Sequence, residues 1–508
     1  MPGWLFQIAT AKPYLGMLVC LGLAMPVFGQ GNPAAASDSL EAIRAQLQEL
    51  RSSLDDMRGQ FAASKGESAA LRREIQSLRD ELRRVRNDDA ASWSGGSAGP
   101  SGKPDDRRAD LAEEQRLIAA KVDEHEQTKV ASGSRYRVRL SGMVLLNAFH
   151  TRGAVDNIDL PLTARPIGPG ESGGSSAATV RQSLLSLEVF GPQWGGAKTS
   201  GELKFDFFGG FPATTEGVTS GLVRLRTATL RLEWENTSIV AGQDTPFFSP
   251  LSPTSLASTA YPALSASGNL WTWTPQIYFE RRVNWSDSTR LSFQVGLLDA
   301  LTGELPVTEY VRTPNAGERS GQPAEAVRVA WQRTVGGRTA IVGAGAYYAR
   351  QNWGFDRTVD AWTVTSDWDL PLGRWFSLSG ELYRGRAIGG LGGGASGSVI
   401  FGGSPALPAT AVLALNSAGG WSQLKFQPLE KLQFNAAFGK DGSFGPGLTG
   451  LPNALGLVHR NASGFVNLIY QPRSNLQLSV EYRRLWTSRF GAPFVTADHF
   501  GLGAGILF

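Results

Sequence analysis

The stretch Leu476-Gln477-Leu478-Ser479-Val480-Glu481-Tyr482 places an apolar side chain at every second position, with a polar one between. Successive residues of a β-strand point to opposite faces, so this pattern gives a strand one apolar face and one polar face. The same alternation recurs at 203–207, 291–295 and 432–436. It begins near Tyr136, where a helical period gives way to a period of two, and it predicts an all-β region from 136 to 508.

The alternating segments number sixteen. An even number of strands is what a closed barrel requires when both of its ends lie on the same side. The predicted strands cover 136–149, 178–190, 198–208, 221–235, 238–245, 275–286, 289–299, 325–334, 339–350, 358–369, 374–386, 415–427, 431–440, 459–470, 475–488 and 497–508.

Alternation alone is equally compatible with a soluble β-sandwich, but the connections favour a membrane barrel. Short and long connections alternate along the sequence. Outer-membrane barrels have this arrangement, with short turns at one end and long loops at the other. The short connections lie at 236–237, 286–288, 336–337, 371–373, 429–430 and 473–474. The long ones lie near 150–177, 209–220, 246–274, 300–324, 387–414 and 441–458.

Aromatic residues cluster at the strand ends next to the short turns, as in the aromatic girdle of a membrane barrel. They are Trp234, Trp285, Trp331, Trp368, Trp375 and Tyr470. We also expect the apolar side chains to face outward and the polar ones inward, the reverse of a soluble core. The sequence therefore predicts a transmembrane β-barrel preceded by an N-terminal α-helical region.

The first 29 residues are typical of a secretory signal peptide. Lys12 precedes the apolar stretch Tyr14–Phe28, and small or modest residues before Gln30 suit cleavage there. The single cysteine, Cys20, lies inside this stretch, which leaves lipoprotein processing as a weaker alternative. The mature chain would then contain no cysteine, which excludes disulfides and cysteine-based sites. No later stretch is long and apolar enough for a transmembrane helix.

Residues 38–86 carry the heptad pattern of a parallel coiled coil. With Leu40 at position a, the apolar seam is interrupted only by Ser64 and Ser68, and every e position is basic. In a parallel, in-register coil a g residue meets the e residue five positions later on the neighbouring helix. The predicted pairs are Glu67 with Arg72, Glu74 with Arg79, and Glu81 with Arg86. A solvated single helix is the alternative, and the pattern leaves dimer against trimer open.

A flexible linker, 87–110, follows the coiled coil and is rich in Gly, Ser, Asp and Pro. Residues 111–130 then predict a short amphipathic helix. His125, near its end, lies between two glutamates and is more typical of a solvated helix position than of a metal ligand.

The last residues alternate up to a terminal aromatic residue: Phe500, Leu502, Ala504, Ile506 and Phe508. This ending resembles the assembly signal of bacterial outer-membrane barrel proteins. With about sixteen strands the chain resembles the trimeric porin superfamily, and with a coiled coil it resembles the DcaP-like porins. The resemblance implies a homotrimer in outer-membrane lipid, inserted by the barrel assembly machinery, with a periplasmic coiled coil. It also implies uptake of small, often anionic, solutes.

A sixteen-stranded barrel is wide enough to leave an aqueous lumen. Charged side chains are costly on the lipid face, so most charges on the strands should line the pore. The candidates are Arg137, Arg139, Glu188, Glu202, Lys204, Asp206, Arg231, Glu233, Glu280, Arg282, Arg328, Asp367, Glu381, Lys425, Glu481 and Arg483. The long segment Thr245–Thr274 has few charges and is a candidate for a constriction inside the pore, or else for a surface loop or trimer contact.

The region from 136 onward has 31 Lys and Arg and 26 Asp and Glu, a net charge of +5. This excess suggests a mild anion preference, and a lumen of mixed charge with little selectivity is the alternative. The predicted function is passive diffusion of small hydrophilic solutes through an outer-membrane porin.

Two other functions stay open. A barrel with a closed lumen could act, together with the coiled coil at 38–86, as a structural tether between the outer membrane and the periplasm. An enzyme is disfavoured because the histidines, at 125, 150, 459 and 499, form no catalytic or metal-binding motif. The glycine-rich run 389–394 precedes no predicted helix and reads as loop flexibility. We expect no cofactor, no metal and no nucleic-acid partner.

Overall fold

The computed structural model describes residues 137–211, 221–304, 311–395, 397–445, 448 and 451–508. The predicted signal peptide, coiled coil, linker and amphipathic helix lie outside these residues, and so do the predicted pairs between Glu67 and Arg86. Within the part of the chain that is described, no helix is long and apolar enough to cross a membrane.

The described residues form a closed antiparallel barrel of sixteen strands, as the alternation predicts. Seventeen hydrogen-bonded segments make up the sheet, and two of them follow each other along one strand, so 17 − 1 leaves sixteen. The strands are β1 Arg137–Arg152; β2 Gly174–Thr179 and Leu184–Phe190; β3 Lys198–Asp206; β4 Arg224–Glu233; β5 Thr237–Asp244; β6 Thr274–Ser286; β7 Thr289–Leu298; β8 Ala324–Val335; β9 Arg338–Asn352; β10 Thr358–Leu372; β11 Phe376–Arg386; β12 Asn416–Leu429; β13 Leu432–Phe444; β14 Val458–Arg473; β15 Leu476–Arg489; and β16 Val495–Leu507.

Each strand pairs with its neighbours in the sequence, and the ring closes where β16 pairs with β1, from Met143 opposite Leu507 to Arg152 opposite Asp498. Both ends of the barrel region therefore lie at the end that carries the short turns. The long connections lie at the opposite end, together with two short ones, 353–357 and 490–494. Two of the long loops each contain a small hairpin. Ala154–Val155 pairs with Ala164–Arg165 in the first, and Val399–Phe401 pairs with Val412–Ala414 in the loop after β11.

Strand β2 is interrupted by a bulge of one residue. Thr179 lies opposite Asn147 and Leu184 lies opposite Met143, so four residues of β2 face three of β1. A bulge re-aims side chains at the point where the ladder is disrupted. Here it brings Arg181 and Gln182 to the inside of the barrel, where both are buried.

The two faces of the wall have the predicted polarity. Outward-facing Val144, Leu230 and Leu502 are 58, 68 and 59 % exposed, which is what a hydrocarbon-facing band requires. The girdle residues Trp285 and Tyr470 also face outward at the short-turn end and are exposed. The inward set includes buried Asn, Gln, Ser, Thr and charged side chains.

The C-terminal residue takes part in closing the ring. Phe508 donates its backbone N–H to the Gly142 carbonyl and accepts one from the Gly142 N–H, at 3.1 and 3.0 Å. A Cβ atom on Gly142 would lie 2.5 Å from the Leu184 carbonyl oxygen and 2.8 Å from the Phe508 ring. Glycine at 142 therefore allows the terminal aromatic ring to cover the seam between β1 and β16.

Gly142→Val should reduce the yield of folded barrel, because the new side chain collides with backbone and with the terminal ring. The yield is measured as the fraction of protein that keeps its folded mobility in an unheated gel. Gly201→Val is the matched control, since Gly201 also faces outward near the short turns and its Cβ would meet nothing closer than 3.4 Å. Equal yields for the two variants would contradict the role given to Gly142.

Candidate functional site

The loop between β5 and β6, residues 245–273 (the inner loop), passes through the inside of the barrel. Its residues make hydrogen bonds to inward-facing side chains of β1, β2, β4, β10, β11, β12, β14 and β15. It is therefore an internal structure of the lumen, which is where the sequence placed a candidate constriction.

Two buried carboxylates hold the inner loop against the wall. Glu381 accepts hydrogen bonds from the Ser249 hydroxyl, at 2.9 Å, and from the Leu251 N–H, at 2.8 Å. Glu481 accepts one from the Ser255 hydroxyl, at 2.5 Å. Both carboxylates are only 3 % exposed. A buried acceptor left without donors is costly, so each carboxylate favours the inward position of the loop.

Side-chain amides complete the attachment. Gln423 accepts the Thr254 N–H at 2.6 Å, and Asn467 donates to the Thr254 carbonyl at 3.0 Å. Across the lumen, the bulge residue Gln182 accepts the Thr259 N–H at 3.0 Å and donates to the Ala257 carbonyl at 3.2 Å. An amide group offers both a donor and an acceptor, so it can satisfy irregular backbone that has no strand to pair with.

An apolar cluster fills part of the lumen toward the long-loop end. Phe247, Phe248 and Leu270 of the inner loop pack there with inward-facing Tyr347 and Tyr383 and with loop residues after β11. The cluster occupies the sector between β6 and β11, so this part of the interior is packed rather than aqueous.

The glycine run 389–394 belongs to this cluster, and the expectation of loop flexibility is wrong for it. A Cβ atom on Gly390 would lie 1.9 Å from the Leu301 carbonyl oxygen, so only glycine allows the two loops to approach. Gly394 donates its N–H to Asp441 at 3.1 Å and to the Tyr383 hydroxyl at 2.9 Å. The run is a close-packed contact inside the barrel.

The neighbouring sector, at β3 and β4, carries a cluster of arginine and aromatic side chains that the sequence did not reveal. Arg224 and Arg226 share one carboxylate, Asp206, at 2.7 and 3.6 Å. Arg224 also lies 4.5 Å from the centre of the Tyr261 ring, and Arg226 lies 4.8 Å from that of Trp273. Two guanidinium groups and one carboxylate leave a net charge of +1 beside the inner loop.

Strict alternation does not predict this pair, because a register shift separates β3 and β4 here. Lys204 faces Thr227 and Phe205 faces Leu225, so Arg226 is the extra residue and Arg224 lies beyond it. In the short-turn half of the lumen, a cavity of about 440 Å³ is lined by Lys204, Arg226, Ser186, Met143 and Gln477, among others. The cluster therefore adjoins open space within the barrel.

All sixteen charged residues proposed from the sequence lie at inward-facing strand positions, but they form two groups. One group is buried under the inner loop or in ion pairs and comprises Asp206, Arg328, Asp367, Glu381, Glu481 and Arg483. The other keeps contact with the lumen and comprises Arg137, Arg139, Glu188, Glu202, Lys204, Arg231, Glu233, Glu280, Arg282 and Lys425.

Several inward-facing charges are paired with each other. Arg328 donates to both carboxylate oxygens of Asp367, at 3.0 and 2.7 Å. Arg282 lies 3.2 Å from Glu233, and Lys204 lies 3.0 Å from Glu202. Such pairs cancel much of the local charge, so the field in the pore depends on the cations that exceed their partners.

The first long loop, between β1 and β2, is held by an ion pair outside the membrane. Arg165 donates to both oxygens of Glu171, at 2.6 and 2.8 Å, and this hydrogen-bonded cation lowers the pKa of Glu171 to about 2. The pair therefore stays ionised at any ordinary pH. Among the described residues, no group of three or more His, Cys, Asp or Glu is placed to hold a metal ion.

No protein-family model matches this chain, and no curated protein sequence does. The fold is similar to that of the outer-membrane channel DcaP of Acinetobacter baumannii, with a TM-score of 0.54 and 18 % identity over 75 % of this chain and 99 % of that one. The resemblance to DcaP-like porins inferred from the sequence is confirmed at the level of the fold.

Two further solved structures align less closely. OmpT of Vibrio cholerae has a TM-score of 0.42 and 10 % identity, over 75 % of this chain and all of that one (100 %). OmpF of Salmonella typhi has a TM-score of 0.42 and 12 % identity, over 73 % of this chain and 98 % of that one.

Glu381→Ala should loosen the inner loop and raise the single-channel conductance, because two buried hydrogen bonds are lost, each contributing about 1 to 3 kcal/mol. The measurement is conductance in a planar bilayer, with the open-channel noise recorded alongside. Glu188→Ala makes the same substitution on the lumen face at a place that the inner loop does not contact, and it should leave the open-channel noise unchanged. An unchanged conductance in Glu381→Ala would contradict the attachment.

Proposed function

We propose that this protein is a porin of the bacterial outer membrane that lets small hydrophilic solutes diffuse through its barrel. One observation carries the proposal: a closed sixteen-stranded wall is apolar outside, and its lumen is narrowed by a loop fixed to the wall side chains. A barrel of this size is wider than its own side chains can fill, so the space beside the loop is available to water.

We further propose a mild anion preference. The Arg224 and Arg226 pair has only Asp206 as its shared carboxylate, and Lys204 and Arg231 lie on the same sector of the wall. Cations held beside low-dielectric walls raise the local concentration of anions. The acidic residues Glu202 and Glu280 on the same sector moderate this field, so we expect a preference rather than exclusion of cations.

The channel is tested by planar-bilayer recording of the detergent-purified full-length protein. Large, stable conductance steps that close in groups of three, with a reversal potential favouring anions in a salt gradient, are expected. Arg226→Gln should weaken the anion preference, since one cation beside the loop is lost, while Arg333→Gln on the outer wall should not. Clear cation selectivity would contradict the proposed preference.

A structural tether with a closed barrel is the second candidate, and the apolar cluster in the lumen favours it. The cluster already closes one sector of the lumen. A folded protein that gives no conductance steps would support the tether over the porin.

We propose that residues 1–29 are removed on export, that 38–86 form a periplasmic coiled coil of three parallel helices, and that 87–110 and 111–130 link it to the barrel. The pairs Glu67 with Arg72, Glu74 with Arg79, and Glu81 with Arg86 would keep the helices in register. Phe500, Leu502, Ile506 and Phe508, which all face outward on or after β16, are the proposed signal for the barrel assembly machinery.

Deletion of 40–85 should convert trimers to monomers while the barrel still folds, because the heptad seam is the proposed source of association. Size-exclusion chromatography with light scattering measures the mass, and unheated gel mobility reports folding. Deletion of the linker 87–110 is the control and should leave the trimer intact. Trimers that persist without 40–85 would place the association in the barrel instead.

A further inference from the structure

The outer wall carries a group of cations at its long-loop end that the channel does not use. Lys440 on β13, Arg460 on β14 and Arg384 on β11 all lie at outward-facing strand positions. In the register, Arg384 faces Ala418, Ala418 faces Gly442, and Gly442 faces Arg460, so both arginines stand on one row of the sheet. These three residues are named here the outer cationic patch.

The two arginines approach each other across small residues. Arg384 lies over β12, where it donates to the Ser417 carbonyl at 2.9 Å and stacks on the Phe444 ring at 4.2 Å. Arg460 lies over β13 from the other side, with its Cγ 3.2 Å from where a Cβ of Gly442 would be. Ala418 and Gly442 thus form a shallow floor with a cation on either side.

The patch has no acidic counterpart among the described residues. No ion pair involves these three side chains, whereas nearby Arg484 is paired with Asp498 at 3.4 Å. The adjoining loops, 387–415 and 445–457, contain no acidic residue anywhere in their sequence. A guanidinium or ammonium group that is fixed on a wall without a carboxylate is available to an external anion.

The side chains beyond the patch, toward the middle of the wall, are apolar. Leu382, Phe438 and Val466 face outward and are 54, 53 and 53 % exposed. A ligand that touches both regions needs a negatively charged head and hydrocarbon chains, with the head at the level of the loops.

The opposite side of the barrel lacks this combination. Strands β3 to β7 present uncharged side chains outward at the same end, namely Phe205, Leu225, Gln243, Ile277 and Leu297. The cations are therefore not a uniform belt that any membrane protein would carry. Arg152 and Arg350 also face outward at this end, but each lies opposite a carboxylate in the register, Asp498 and Asp360 respectively.

We propose that the outer cationic patch binds the phosphate head of a phosphorylated lipid of the outer leaflet, whose acyl chains lie along Leu382, Phe438 and Val466. Arg384 offers a fixed guanidinium face, and Lys440 and Arg460 close around the phosphate from the other side. Charge-assisted hydrogen bonds to phosphate are the strongest interactions that these side chains make. This site is separate from the channel and does not depend on what the channel transports.

The test uses the full-length protein in detergent, titrated with lipid A as the probe and analysed by native mass spectrometry. Lys440→Gln with Arg460→Gln should weaken lipid retention roughly tenfold or more, because two cations near the headgroup are lost. This variant leaves Arg384, which also supports the wall, in place. The matched control is Arg281→Gln with Arg333→Gln, two exposed, outward-facing cations at the short-turn end, and it should retain lipid as the unaltered protein does.

Two further arms separate the outcomes. Lipid A stripped of its phosphates should bind as weakly to the unaltered protein as intact lipid A does to the patch variant. Conductance recorded on the same preparations should be unchanged, so that loss of the site is distinguishable from loss of the channel. Equal retention by the patch variant and its control, undiminished binding of the stripped lipid, or equal affinity for inorganic phosphate would each overturn the proposal.

Discussion

A strand edge cannot face hydrocarbon, because every unpaired backbone N–H and C=O there lacks water to bond with. The sheet therefore has to close, and the pairing of β16 with β1 is the contact on which the rest of the wall depends. Closure brings Phe508 onto Gly142 and explains why that position has no side chain. It also fixes which side chains face the lipid, since one residue of slip would turn every charge outward.

Closure creates an interior, and the inner loop creates a second requirement inside it. A loop of 29 residues, 245–273, brings irregular backbone into the barrel, where it packs against the wall. Inward-facing carboxylates and amides of the wall make hydrogen bonds to this backbone, and Glu381, Gln423 and Gln182 are examples. These residues would be unexplained in a simple aqueous pore. They are buried because they take the place of water as hydrogen-bond partners for the loop.

The sequence was sufficient to predict the strands of the barrel wall, but not the contacts of the inner loop inside it. Period-two alternation is a local property, so it identified all sixteen strands and the facing of charges such as Arg328 and Glu481. The contacts of the inner loop are long-range: Glu381 and Leu251 are 130 positions apart, and nothing near either residue encodes the other. Arg224 and Arg226 were not identified because strict alternation, counted back from Arg231, turns both outward. A register shift between β3 and β4 turns them inward instead. The coiled coil at 38–86, whose heptads are equally regular, remains a prediction.

The same kind of side chain has three different roles according to where the sheet places it. Arg328, buried on the inside, donates to Asp367 in a closed pair. Arg226, half-buried beside the inner loop, shares its carboxylate and leaves a positive excess facing the pore. Lys440 and Arg460, exposed on the outer wall at its long-loop end, form no ion pair among the described residues. Because a buried charge without a partner is costly and an interfacial one is not, unpaired cations are tolerated only where water or an anionic headgroup can reach them. The proposed anion preference of the pore and the proposed attachment of lipid outside it thus rest on one rule, applied at two places on the same wall.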